Sequence, residues 1–377
     1  VEFGWSTEER RFRDELRAVI EAEVPDHWSE LIPGEEFGTE FTYEFCRTLA
    51  EKGLLAPHWP AAYGGRDASP WQFIILGEEL WSAGEPRGSQ YMNVNWIGPA
   101  IIAAGTSEQK KYHLGRITSG DVTWCQGFSE QGAGTDLANM QTRAVRDGDF
   151  YVVDGEKVWT SYAQEAEFCF LLARTDPESA GNKGISIFLV PTATRGFTIE
   201  RIPSVLDVHE FNRLTFSDMR IPASYRLGPE NDAWRVIREA LAHERIGGPR
   251  YARAALVTRR LAEMAAARDW WDRDGIRTRL VAAETACKAA RLLVYQAIDA
   301  RAKGQPQDLA VSRARVAIVR SERIVAELTL DLLEDECLER DSMGNGQLKT
   351  AMIAGLGGGS VEVQLNMIAR ALLGPGR

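Results

Sequence analysis

From Ser6 onward the apolar positions fall at helical spacing. Phe12, Leu16 and Val19 are three and four apart, and Ser6 with Glu9 makes a capping-box pattern at the start. The period continues through EFCRTLAEKGLL, breaks at His58 to Gly65 (HWPAAYGG), and resumes in WQFIILGEELWSA and GPAIIAAG. Near Ser119 it changes. From Val122 to Arg220 come short runs rich in Val, Ile, Phe, Tyr and Thr (DFYVVDG, FCFLLARTD, GISIFLVPT, RLTFSDMRIP) between Gly, Asp and Pro turns, which predict strands. At Asn231 the helical period returns and holds nearly to the end, enough for four antiparallel helices. The expected fold class is therefore α+β in several layers: a helical segment 1–120, a central β segment 121–227 and a helical bundle 228–377.

One position sits oddly on this pattern. In WRVIREALAHE, Trp234, Ile237, Leu241 and Glu244 share a helical stripe, so a carboxylate falls among apolar residues. Taken alone, Glu244 reads as an edge residue paired with Arg245 or a more distant Arg, since structural ion pairs outnumber catalytic acids.

Composition narrows the function classes. A chain of 377 residues with 44% hydrophobic and 26% charged residues reads as a soluble globular protein with ample core. The net charge of -10 argues against binding a phosphate backbone, so nucleic acid is a poor partner. No signal-like run stands in VEFGWSTEERRF and no membrane-spanning stretch follows, so a cytoplasmic location is expected. Cys46, Cys125, Cys169, Cys287 and Cys337 lack CxxC spacing, and the five histidines lack paired spacing, so neither a disulfide framework nor a metal site is expected.

Two stretches of the β segment could carry chemistry. Trp124 to Met140 reads WCQGFSEQGAGTDLANM, in which a Gly-Ala-Gly-Thr turn frees backbone N–H groups for an anion, with Ser129 and Thr135 as flanking donors. Such turns are also commonly just tight turns, and the Rossmann spacing is absent. DGEKVWTSYAQEAEF places Trp159, Thr160 and Ser161 at a strand end, where an exposed indole beside hydroxyls could hold a flat heteroaromatic ring. The strand pattern alone favours a core Trp.

Together, HWPAAYGG, GTSEQKKYHLGRITSGD, FSEQGAGTD, DGEKVWTS, GISIFLVP, the HER of LAHERIGG and GGGSVEVQ resemble the acyl-CoA dehydrogenases in the order that family carries them. The resemblance implies FAD as cofactor and α,β-desaturation of an acyl-CoA thioester, with the Cα proton taken by a base and the Cβ hydrogen leaving as hydride. It implies cofactor contacts at Gln126, Phe128, Ser129, Trp159, Thr160, Ser161, Ser360 and Glu362, and substrate contacts at Thr135, Arg245 and Gly358. Family members carry the base either in a C-terminal Tyr-Glu-Gly-Thr motif or as a Glu before Arg on the first bundle helix. Gly358 stands at the first place, so the resemblance makes Glu244 the catalytic base. Its apolar surroundings then suit the role, because desolvation raises a carboxylate's pKa towards that of the acidified Cα–H. The Gly358 backbone N–H is implied to help polarise the thioester carbonyl. A bend of the helix just past Glu244 is expected at Gly247, Gly248 and Pro249.

The family's Arg-x-x-Phe-Gly and Gln-x-x-Gly-Gly elements, which reach a neighbouring subunit's FAD, are replaced here by ARDWWDRDGIRTRL and LERDSMGNGQLKT. The chain is similar in this to catalytic subunits of actinobacterial heterotetrameric (α2β2) acyl-CoA dehydrogenases acting on bulky steroid side-chain CoA esters, in which a homologous partner chain supplies the missing contacts. A homotetramer with Arg277 or Arg279 as substitute contacts is the other arrangement. Electron-transfer flavoprotein is the implied electron acceptor. An acyl-CoA oxidase, a non-catalytic partner subunit and a flavin enzyme for a non-CoA substrate stay open as alternatives.

Overall fold

The computed structural model describes residues 4–25, 28, 35–179, 181–205, 211–237, 248–272, 275–340, 342–357 and 359–374, with side chains 35–39 and 272 excepted. The chain divides into two compact units: Val1–Phe37, Asp67–Pro86 and Glu244–Arg377 form one, Gly38–Arg66 and Arg87–His243 the other.

The first unit is helical. Helix Thr7–Glu23 begins with the capping box read from the sequence: the Glu9 N–H donates to the Ser6 hydroxyl at 3.2 Å, and Glu9 Oε2 accepts the Ser6 N–H at 2.7 Å. Helix Pro70–Ser82 is started by a second box, Ser69 with Gln72, and by Pro70 at its first turn. In helix Ile276–Ala302 the buried residues Ile276, Leu280, Ala283, Cys287, Ala290 and Val294 recur at three and four, which is one stripe. Half of that stripe packs with Val257, Leu261, Val325 and Leu328 from helices Tyr251–Ala267 and Asp308–Leu333. The other half packs with Ile74, Trp81, Val311 and Ile318, so the N-terminal helix Pro70–Ser82 shares a core with the C-terminal helices.

A buried carboxylate joins these helices. Glu78, 6% exposed, accepts from Arg13 Nη2 at 3.0 Å, the Tyr251 hydroxyl at 2.8 Å, Arg291 Nε at 2.9 Å and the Tyr295 hydroxyl at 2.8 Å. Burial costs a charge heavily unless it is paired, and four donors from three other helices meet that requirement.

The second unit is built on an eight-stranded sheet: β1 Trp124–Gly127, β2 Arg143–Asp147, β3 Phe150–Ser161, β4 Phe168–Arg174, β5 Ile185–Pro191, β6 Phe197–Arg201, β7 Phe211–Pro222 and β8 Arg226–Leu227, in the order β6-β7-β3-β2-β4-β5-β8. Strand β4 carries two parallel neighbours on one edge: β1 along Phe168 to Leu171 and β2 at Arg174. The remaining pairings are antiparallel. In β4 and β5 every residue but the last is buried, so both faces are covered and the sequence reads as an unbroken apolar run rather than an alternation. Buried Gln90 and Asn93 donate to the Val122 carbonyl at 2.9 and 2.7 Å, which anchors the segment entering β1. All five cysteines are buried and outside any disulfide. No helix among the described residues is long and apolar enough to cross a membrane.

His113 lies between Trp124 and Phe168, with ring centroids at 5.0 and 5.1 Å. Burial, with Arg116 adding to it, pulls its pKa down to about 4. Between that value and its ordinary 6.5 the unfolded chain binds a proton that the folded chain refuses, so this residue removes stability as pH falls through that window. Allowing for incomplete burial, the loss is on the order of 2 kcal/mol. The urea midpoint should drop between pH 7 and 4.5 in the wild type and drop measurably less in His113→Gln; equal slopes would remove the assignment.

Candidate active site

Within the sheet unit, the end of β1 and the end of β3 are held together by backbone and by one buried ion pair. The Val158 N–H donates to the Ser129 carbonyl at 2.9 Å. Lys157, fully buried, donates through Nζ to the Phe128 carbonyl at 3.1 Å and to Glu130 Oε1 at 2.8 Å. Glu130 also accepts the backbone N–H groups of Gln141 and Thr142 at 2.6 and 2.9 Å, closing the loop 130–142 on itself. Burial pushes the Glu130 carboxyl up, but the Lys157 charge and these donors outweigh it and hold it below the usual range. Burial pulls the Lys157 ammonium down, and Glu130 opposes that. Neither residue was singled out in the sequence, although Lys157 stands within the DGEKVWTS motif. The available signal was a lysine two residues before the strand-end Trp, with a Glu in the preceding loop.

The Gly-Ala-Gly-Thr turn closes through paired hydrogen bonds between Glu130 and Ala133. Neither Gly132 nor Gly134 has a left-handed φ, and a Cβ on either would meet nothing within 4 Å. The chain itself therefore places no demand for glycine there, and the open backbone leaves room for an outside group to approach. Ser129 is half-buried beside this turn and Thr135 is exposed on it.

At the end of β3 the register with β7 shifts between Lys157 and Thr160. Trp159 takes a left-handed φ of 61°, and Tyr162 follows with 58°. A bulge re-aims the side chain it contains, and the Trp159 indole is turned outward, 58% exposed, touching Phe211 edge-on at 6.1 Å. It is not a core tryptophan, contrary to what the strand pattern alone favours. A bulky residue at positive φ costs on the order of 1–3 kcal/mol.

The next residue adds a second cost. Thr160 is 2% exposed and its hydroxyl has no hydrogen-bond partner among the described residues, while Asn212 Nδ2 occupies its carbonyl at 3.1 Å. The Gln126 side-chain amide Nε2 on β1 is likewise buried and unpartnered. Each such group costs about 1–3 kcal/mol if left so. A strained exposed indole, an open glycine turn and two buried polar groups awaiting partners at neighbouring strand ends fit a flat heteroaromatic ring with a polar edge. The donor set suits the isoalloxazine of FAD. Phe128, tilted against Phe170 at 5.9 Å, and half-buried Ser161 complete this group of residues.

The remaining residues singled out in the sequence belong to the helical unit. Ser360 caps helix Val361–Leu373, its hydroxyl accepting the Val363 N–H at 3.4 Å, and Glu362 lies exposed in the first turn. Arg277 lies over the Trp271 ring at 5.7 Å, and Arg279 is ion-paired with Asp331. At Gly248 and Pro249 the chain is not helical, and a helix begins at Tyr251. Gly248 is required there: a Cβ would fall 1.8 Å from the Trp81 indole nitrogen. Glu244, Arg245 and Gly358 lie outside the described residues, as do Leu241 and Gly247.

Comparison with known proteins bears on the whole chain. Three domain models of one family match in succession: the acyl-CoA dehydrogenase N-terminal domain over residues 6–121, the middle domain over 125–219 and the C-terminal domain over 231–373. The acyl-CoA dehydrogenase IpdE1 of Mycobacterium tuberculosis is 35% identical over 334 residues, 86% of each chain. FadE26 of the same organism is 37% identical over 252 residues, which are 65% of this chain and 62% of that protein. Among solved structures, a chain of the Tcur3481-Tcur3483 steroid ACAD superposes with a TM-score of 0.90 at 31% identity, covering 100% of both chains. A chain of the ChsE4-ChsE5 complex from Mycobacterium tuberculosis superposes at 0.88 with 29% identity and the same coverage. With consecutive domain matches along its length and a relative 35% identical over 86% of both chains, this chain belongs to the acyl-CoA dehydrogenase family.

Proposed function

We propose that this chain is the catalytic chain of an FAD-dependent acyl-CoA dehydrogenase that introduces a double bond between Cα and Cβ of an acyl-CoA thioester. The observation that carries the reading is the buried, unpartnered Thr160 hydroxyl beside the outward-turned Trp159. Bound there, FAD supplies the acceptor for the hydride that leaves Cβ. Gln126, Phe128, Ser129, Trp159, Thr160 and Ser161 would hold the ring, with Ser360 and Glu362 as further cofactor contacts. Glu244 takes the Cα proton, the Gly358 N–H polarises the thioester carbonyl, and Thr135 and Arg245 meet the substrate. The Lys157–Glu130 pair keeps the 130–142 loop in shape.

A bulky steroid or side-chain CoA ester is the proposed substrate class, supported by the likeness to a chain of the Tcur3481-Tcur3483 steroid ACAD. A homologous partner chain is proposed because both solved relatives, Tcur3481-Tcur3483 and ChsE4-ChsE5, are named as pairs, and because the Arg-x-x-Phe-Gly and Gln-x-x-Gly-Gly elements are replaced here. Electron-transfer flavoprotein is the proposed acceptor of the electrons. The test is co-expression with a homologous partner chain and anaerobic titration of the flavin-loaded protein with CoA thioesters from short linear to sterol side-chain esters. Bleaching of the flavin absorbance, most complete with the bulky esters, is expected. A flavin-loaded protein that no thioester bleaches would overturn the activity, and stoichiometric FAD in this chain expressed alone would overturn the need for a partner.

A further inference from the structure

In the helical unit one arginine of helix Asp308–Leu333 reaches the turn that precedes Gly358. Arg315 is buried, 7% exposed, and its Nη2 donates to the Ala354 carbonyl at 3.0 Å and to the Gly357 carbonyl in a short contact. Both carbonyls follow the end of helix Met343–Ile353, where C-terminal carbonyls lack helical partners. Space around the turn is open at Gly357, where a Cβ would meet nothing within 4 Å. Beyond the turn, Gly359 takes a left-handed φ of 93°, with Gln364 Nε2 only 2.7 Å from where its Cβ would be.

A buried carboxyl group shares the surroundings of Arg315. Glu322, 1% exposed on the same helix, faces Arg250, Arg253 and Arg315. Burial pushes its carboxyl above the usual range, and the three guanidinium groups oppose that without cancelling it. Arg253 is in turn bonded to the Thr350 hydroxyl on helix Met343–Ile353.

The Gly357 carbonyl and the N–H of residue 358 are two ends of one planar amide. A charged donor on the carbonyl oxygen does two things to such a group. It fixes the plane, and so the direction of the N–H, and it polarises the amide, which strengthens the N–H as a donor. We propose that Arg315 is a positioning residue for the thioester: by anchoring and polarising the Gly357 peptide, it orients the Gly358 N–H that the acyl carbonyl accepts. This rests on the activity proposed above and adds to it a residue that touches neither substrate nor cofactor.

The test compares wild type, Arg315→Met and Arg315→Lys as flavin-loaded protein with the partner chain, with all values expressed per bound flavin. The direct readout is the absorption red shift of a bound conjugated enoyl-CoA, which reports carbonyl polarisation without turnover. Arg315→Met should lose most of that shift and bleach about 10–100-fold more slowly with acyl-CoA, with KM changed less than kcat. Arg315→Lys should recover part of both. A wild-type red shift and kcat per flavin in Arg315→Met would overturn the proposal, as would a fall in melting temperature and flavin content alone. Should Arg315→Met fail to fold, Arg315→Lys decides: a monodentate ammonium that leaves both readouts at wild-type values in the folded protein overturns it. Wild type that binds enoyl-CoA with no shift refutes the role of Arg315 while leaving the bleaching assay to judge the activity. Wild type that neither binds nor bleaches takes both readings down.

Discussion

Glu244→Gln should leave FAD bound and slow flavin bleaching by acyl-CoA about 10²–10⁴-fold, the range for loss of a general base. The amide has nearly the shape of the carboxyl and cannot take a proton near neutral pH, so the substitution removes chemistry with little change in packing. The effect should be large because the family's other location for a base holds Gly358 in this chain. The proton step can also be read by itself. A thioester that binds but cannot be oxidised should exchange its Cα hydrogen for deuterium in heavy water with wild type and not with Glu244→Gln. Exchange and bleaching within threefold of wild type would assign the proton abstraction to another group.

The second large effect is on stability. Glu78→Gln should cost about 3 kcal/mol, because it takes the charge from a buried site while Arg13 and Arg291 stay oriented towards it. Arg291 is 43% exposed at its side chain, so water relieves part of its loss, and the value is set at the low end of the range for broken buried pairs. Burial first, and the Glu78 charge second, push the Tyr251 and Tyr295 phenols above their ordinary range. An acid whose folded pKa is raised keeps its proton when the unfolded chain has lost it, so the wild type should lose stability as pH rises past about 10. In Glu78→Gln that alkaline loss should shrink while the urea midpoint at pH 7 falls. An unchanged midpoint at pH 7 would show that the four donors find equal partners without the charge.

Much of this was legible in the chain. The capping box at Ser6 and Glu9 depends on residues three apart, and it formed as read. The strand-rich segment became one sheet, and within the stretch of helical period after Asn231 lies the long helix Ile276–Ala302. The motif residues Gln126, Ser129, Trp159 and Thr160 were named from sequence, but their states were not. Trp159 lies on a strand whose alternation puts it in the core, and a register shift against β7 turns it outward. Lys157 looks like a surface lysine, and its burial follows from the loop that folds Glu130 over it.

The order of helices, strands and helices and the helix starts were set by the sequence alone, because each depends on neighbours a few positions away; the residues proposed for flavin and thioester chemistry were likewise named from it. Which helices share a core was decided only in three dimensions: Pro70–Ser82 packs with helices that begin after residue 250. So were the partners of Glu78, one of them 213 residues distant, and the lack of a partner for the Thr160 hydroxyl among the described residues. Burial and charge pairing are sums over everything that folds around a group. No local pattern contains those sums, and they determine whether a polar side chain is satisfied by the protein or left for a ligand.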